Sequence, residues 1–227
     1  VGQNADRFVL KMKTVVAIIQ ARLGSTRLPN KVLLKIPPDS NITCLGRVIE
    51  RLKNCTLLDE IILTTPDKEL CKIAKSYGII SRRYYGKRDV LREYREVIRD
   101  FSDANIIVRI TADCPLIDPD IVDQCIDEFL DSNVDLVYNT DESNGQLNGE
   151  GSDVEVFSSQ ALRWTSFEAK TPSDREHITR YMRRTMNTKY VPMKKLGIKS
   201  LNTWEDYQDI CRIYENEGTH CSSPSRR

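Results

Sequence analysis

Three short apolar runs punctuate the first half of this chain: Thr14–Ile19, Glu60–Thr65 and Asn105–Ile110. A strand with one wet face alternates apolar and polar residues. A run that hardly alternates is buried on both faces, which is the habit of parallel strands inside an α/β sheet. Between the runs, apolar residues return at helical spacing. Ile42, Leu45, Ile49 and Leu52 form one stripe, and Leu70, Ile73, Ala74 and Tyr77 form a second, stopped by Gly78. Val90, Leu91, Tyr94, Val97, Ile98 and Phe101 form a third. A short strand is expected near Ile79–Tyr84.

The same alternation continues. Asp118 followed by Pro119 predicts a capped helix start, and Ile121, Val122, Cys125, Ile126 and Phe129 follow on one face. Strands are expected at Val134–Tyr138 and Asp153–Phe157, with an Asn- and Gly-rich loop between them. Helices are expected at Ser158–Lys170 and Ser173–Asn187. Short strands then follow at Thr188–Pro192 and Ile198–Asn202, and a last helix from Thr203. Strands alternating with helices predict one α/β domain with a mainly parallel sheet, over residues 12–216. Residues 1–11 read as a leader preceding Met12, and the polar segment 217–227 reads as a disordered tail.

With 227 residues the chain can bury a sizeable core. It carries 34 Lys and Arg against 33 Asp and Glu, a formal charge of +1. That balance gives no footprint for nucleic acid or an anionic membrane, so any anion site has to be local. No apolar run is long enough to span a bilayer. Seven cysteines, an odd number without a C-x-x-C pair, read as reduced thiols of a cytoplasmic protein. Two histidines, His177 and His220, leave little for zinc or for Cys-His catalysis.

In parallel sheets ligands bind beyond the carboxyl ends of the strands. The loop after the first run reads Q-A-R-L-G-S-T-R-L-P-N-K, Gln20 to Lys31. Its three cations, with Gly24, Ser25 and Thr26, suit an anion, and they equally suit a solvated basic turn. It is not a Walker A loop, because no Gly-Lys-Ser/Thr closes it.

This loop closely resembles the signature of the cytidylyltransferases that activate acidic sugars, the synthetases of CMP-acylneuraminate and of CMP-3-deoxy-manno-octulosonate. The resemblance continues through Val108–Pro119, Ser152–Phe157 and Arg175–Thr179, and ends at Leu201–Asp206. It covers about Met12 to Tyr214, and is nearest to the spore-coat polysaccharide biosynthesis protein F group. It implies a Rossmann-like three-layer nucleotidyltransferase fold. The implied reaction transfers CMP from CTP to an acidic sugar or related acceptor, with release of pyrophosphate.

The resemblance also distributes roles. Arg22 and Lys31 would contact phosphate, with Ser25 and Arg27 completing the loop. Asn30 stands where the family usually has Gly, and Asn tolerates unusual backbone angles. Asp113 would bind Mg²⁺, and Thr111 in the same motif would face the nucleotide. Thr64 and Thr65 end a strand at the nucleotide edge. Asp89 and Arg92 would hold the cytidine side, an ordinary surface helix being the alternative. Asp153, Glu155, Arg175, Glu176 and His177 would approach the acceptor. Ser173 and Glu176 also match a capping box, as do Thr203 and Asp206. Arg180, Arg183 and Arg184 read as a solvated helix face or a dimer edge. The family's closing motif begins with a second metal-binding Asp, and here that position is Asn202, which keeps an oxygen and loses the charge. A homodimer through Asp141–Pro192 is the expected assembly. Two rival readings are a sugar transferase using a nucleotide-sugar and a non-catalytic nucleotide-binding relative.

Overall fold

The computed structural model describes residues 14–86, 89–140, 151–192 and 199–220, without the side chains of 217–220. The expected leader, most of the Asn- and Gly-rich loop and the last residues of the tail lie outside them.

Among the described residues seven strands form one sheet, in the order β3-β2-β1-β4-β6-β5-β7. They are β1 (Thr14–Gln20), β2 (Glu60–Thr65), β3 (Ile80–Arg83), β4 (Ala104–Thr111), β5 (Leu136–Tyr138), β6 (Glu155–Ser158) and β7 (Thr188–Tyr190). All pairs are parallel except those made by β6, which runs against both β4 and β5. The apolar runs therefore behave as buried parallel strands. Their side chains alternate between two cores, as the pleat requires. Val15, Ala17 and Ile19 enter one, and Val16 and Ile18 enter the other.

The first core is covered by α1 (Cys44–Leu52), α2 (Lys68–Ser76) and α4 (Pro119–Asp131), and the second by α3 (Val90–Asp100), α5 (Ser159–Glu168) and α7 (Ile178–Thr185). The caps that start these helices are local. Thr43, Asp89, Asp118 and Ser158 each accept a backbone N–H with the side chain. Gly78, at φ 69, ends α2 in the left-handed region that favours glycine.

The structure redraws three expected elements. The helix expected over Ser173–Asn187 begins earlier and is broken. Thr171 caps α6 (Pro172–Glu176), with Pro172 in its first turn, so Thr171 and Asp174 form the capping pair rather than Ser173 and Glu176. At His177 the backbone leaves helical angles (φ −110, ψ 75), and α7 starts afresh. Residues 199–202 form no strand. There Leu201 N–H donates to the Asp113 carbonyl at 2.7 Å, which ties two loops together instead. The closing helix α8 (Trp204–His220) runs beyond Glu217, into the segment read as tail.

β5 ends and β6 begins at the same edge of the sheet, and the neck of their connection is fastened by one side chain. Buried Asn139 donates to the Ser152 carbonyl at 2.6 Å and accepts from Val154 N–H at 2.8 Å.

Candidate functional site

Register places the site. Gln20 pairs with Thr64 on one side and Thr111 on the other, so β1, β2 and β4 finish almost level. The chain leaves β1 toward β2 and β3, and β4 returns on the opposite flank. That reversal opens a crevice at the carboxyl ends, where α/β sheets receive ligands.

The basic loop after β1 is folded by bonds to its neighbours. Ala21 N–H donates to the Thr64 carbonyl, and Leu23 N–H donates to Asp67 Oδ2 at 2.8 Å. Asp67 is itself held by its N–H on Thr65 Oγ1. Asn30 turns the chain with φ 57, so the residue expected to tolerate an unusual angle adopts the left-handed conformation. The one-turn 3-10 helix Lys31–Leu33 follows, and in it Lys31 is buried.

A third, small core sits beneath three loops. Leu28 comes from the basic loop, Leu116 from the loop after β4, Leu201 from the segment before α8, and Ile210 and Cys211 from α8 itself. Packing these together brings their polar neighbours together. Lys31 Nζ lies 2.5 Å from Asp113 Oδ2 and 3.1 Å from Asn202 Oδ1. Arg27 donates to the same Asn202 oxygen at 2.9 Å. Asn202 N–H is pinned by Asp206 Oδ2, and Thr203 and Asp206 bond reciprocally, as the expected capping box.

Around this point lies a cleft of about 340 Å³. Arg22, Ser25, Arg27 and Lys31 line one side, with Thr111 and Asp113 at the floor. Glu176 and His177 line it from the helix break. Among the described residues the Arg22 guanidinium makes no hydrogen bond or ion pair, so its fork is available to an anion. A second cavity of about 410 Å³ adjoins at Arg109 and His177, and is lined also by Glu155, Thr179, Arg180 and Arg183.

Glu155 organises the second cavity. Its buried carboxylate accepts from Arg109 at 2.6 Å, Arg183 at 2.8 Å and Thr179 at 2.5 Å. Burial alone would raise its pKa, but the two guanidiniums and the Thr179 hydroxyl outweigh that and hold it below the ordinary glutamate value. Burial likewise disfavours charge on Arg109, and Glu155 overrides it, keeping Arg109 firmly protonated. Arg183 also stacks over the Tyr138 ring at 4.0 Å and donates to the Thr140 carbonyl. It is therefore anchored in the site wall and is not part of a solvated helix face.

Other expected site residues fall elsewhere. Thr64 and Thr65 are buried and line neither cavity; their bonds hold the loop that does. Asp89 caps α3 and pairs with Arg175 at 2.7 Å, and neither residue lines the two cavities. Arg175 donates further to the Ser166 and Ala169 carbonyls. Arg92 pairs with Glu96 one turn along the exposed face of α3, the alternative already raised for it. Asp153 lines neither cavity. Conversely, Arg109 and Tyr84 belong to the site without having been singled out. Arg109 did leave a signal, as the one charged residue inside an apolar strand run.

Among the described residues no group of three or more His, Cys, Asp or Glu is placed to hold a metal. The oxygens of Asp113 and Asn202 both converge on the Lys31 ammonium, and Asp113 brings the carboxylate that suits a metal cation. One carboxylate is a normal protein share for Mg²⁺ when phosphates and water complete its shell.

Comparisons with known proteins fit this geometry. The family model for cytidylyltransferases matches residues 16–213. The chain is 29% identical over 222 residues to the spore coat polysaccharide biosynthesis protein SpsF of Bacillus subtilis, covering 91% of this chain and 89% of that one. It is 36% identical over 116 residues to the 3-deoxy-manno-octulosonate cytidylyltransferase of Solibacter usitatus, covering 50% of this chain and 44% of that one. SpsF apart, the chain spans 43–66% of the length of the first curated relatives that it matches. Among solved structures, a cytidylyltransferase from Leptospira borgpetersenii superposes with a TM-score of 0.75 at 25% identity, covering 95% of this chain and 99% of that one.

Proposed function

The chain belongs to the cytidylyltransferase family, and on that premise we propose that it transfers CMP from CTP to an acidic sugar or related acceptor, with release of pyrophosphate, in the making of a surface polysaccharide or glycoconjugate. The observation that carries this reading is the meeting of Arg22, Arg27 and Lys31 with Asp113 in one cleft, which shares His177 with a second cavity.

An acceptor oxygen attacks the α-phosphorus of CTP, a P–O bond forms, and the bond to pyrophosphate breaks. Little covalent chemistry falls to the protein, so its part is alignment and charge. Arg22 grips phosphate oxygens with a planar fork, while Lys31 and Arg27 add point charge beside it. Asp113 would hold Mg²⁺, which when bound supplies further positive charge to the phosphates. On the acceptor side His177 sits at the junction of the two cavities, with Glu176 beside it. Arg180 lines the second cavity and offers a cation to an acidic group.

The test is a melting shift with CTP, UTP, GTP and ATP, each with and without Mg²⁺, followed by pyrophosphate release across an acceptor panel. Ligand that binds the folded state raises the melting temperature according to its affinity and concentration. A shift selective for CTP, and pyrophosphate released only when an acidic sugar is present, is the expected result. A shift with another nucleotide and none with CTP sinks the assignment.

A further inference from the structure

Asn202 stands where a metal-binding carboxylate was expected, yet its side-chain oxygen faces two cations. Its Oδ1 accepts from Arg27 at 2.9 Å and from Lys31 at 3.1 Å. The reverse amide orientation would set an NH₂ group against two cationic donors, so the oxygen has to face them. The residue itself is firmly held. Its N–H bonds the α8 capping carboxylate of Asp206, and its neighbour Leu201 is buried and bonded to the Asp113 carbonyl.

We propose that Asn202 is a positioning residue for the nucleotide phosphates, gathering Arg27 and Lys31 at one wall of the cleft, and is not a metal ligand. The chemistry of the amide explains the choice. A carboxylate there would form ion pairs with both cations and neutralise part of the charge meant for phosphate. A neutral oxygen fixes the same two side chains and adds no negative charge to that already supplied by Asp113. Asp113 is then the sole carboxylate for the metal, and phosphate binding and metal binding become separable. This rests on the reading that CTP phosphates occupy the cleft.

The experiment measures two affinities separately: CTP in EDTA by calorimetry, and Mn²⁺ without nucleotide by electron paramagnetic resonance. The proteins are wild type, Asn202→Ala, Asn202→Asp, Arg27→Ala, the Arg27→Ala/Asn202→Ala double variant and Asp113→Ala. Thermal melts check that each is folded. Losing a hydrogen bond to charged groups weakens CTP binding about tenfold in Asn202→Ala, with Mn²⁺ affinity unchanged. The double variant is no weaker for CTP than Arg27→Ala alone, because the two act as one unit. Asp113→Ala loses Mn²⁺, and Asn202→Asp gains Mn²⁺ affinity while losing CTP affinity in EDTA. The proposal is overturned if Asn202→Ala weakens Mn²⁺ as Asp113→Ala does, if it leaves CTP binding in EDTA unchanged, or if wild type binds CTP only with Mg²⁺. A wild type that binds no CTP under either condition sinks the cytidylyltransferase reading instead.

Discussion

The Lys31 ammonium sits 2.5 Å from the Asp113 carboxylate, although the two are 82 positions apart in the chain. Each neutralises the other. Lys31→Met is expected to cut kcat/KM by about a hundredfold, the usual cost of removing one group that stabilises developing charge. Asp113→Asn is expected to abolish metal-dependent turnover while CTP binding in EDTA holds or tightens, because Lys31 is released. Steady-state kinetics beside metal-free calorimetry checks both. A weaker metal-free affinity in Asp113→Asn would contradict this account.

Glu155 faces two arginines inside the protein. Glu155→Gln leaves them without a counter-charge, and a loss of about 3 kcal/mol or more is expected in urea unfolding. The pH dependence has a definite sign. The folded protein lowers the Glu155 pKa, so its stabilisation is complete above the unfolded value and is lost as pH falls through the folded one. Wild type should therefore lose more stability than Glu155→Gln on acidification below the ordinary glutamate range. Equal acid slopes for the two proteins would show that Glu155 does not carry this linkage.

Arg175 and His177 are two residues apart and should separate cleanly. Arg175 is committed to Asp89 and to two carbonyls, so Arg175→Ala is expected to lower the melting temperature and leave the KM for CTP unchanged. His177→Ala should melt like wild type, since its side chain is exposed at the junction of the cavities, and should raise the acceptor KM severalfold. An unchanged acceptor KM in His177→Ala removes that residue from the site.

The loop alignment depends on the small core as much as on polar contacts. Leu201→Ala empties part of a fully buried position and is expected to cost about 2–5 kcal/mol. It should also reduce kcat, because Asp113 and Asn202 lose their common support. Denaturation and kinetics on the same preparation would reveal whether the two losses travel together.

Much of this architecture was legible from residues 14 to 131, where unbroken apolar runs and helical stripes each have one consistent reading. The cap at Asp118 and the capping box of Thr203 and Asp206 were legible in the same way, since a cap is a local bond. The break at His177 was not, because nothing in Glu176-His177-Ile178 disfavours a helix. It depends on Ile178 and Thr179 turning inward to pack and to bond Glu155. The pairing of Asp89 with Arg175 was equally hidden. Motif order suggested that both face ligand, and only the packing of α6 near α3 shows that they face each other. The third core escaped notice because its members are scattered from Leu28 to Cys211, at no period.

The clamp made by Asn139 has a consequence for how such a protein can diversify. Because one amide closes the neck between Tyr138 and Glu155, the sheet does not sense how many residues hang beyond it. The residues that flank that connection, Tyr138 and Glu155, pair with each other, and Glu155 pairs with Arg109 near the carboxyl end of β4. Lengthening or replacing the connection would leave strand register and the basic loop after β1 untouched. The fold thus holds its frame constant and leaves the span between Asn139 and Ser152 open to change.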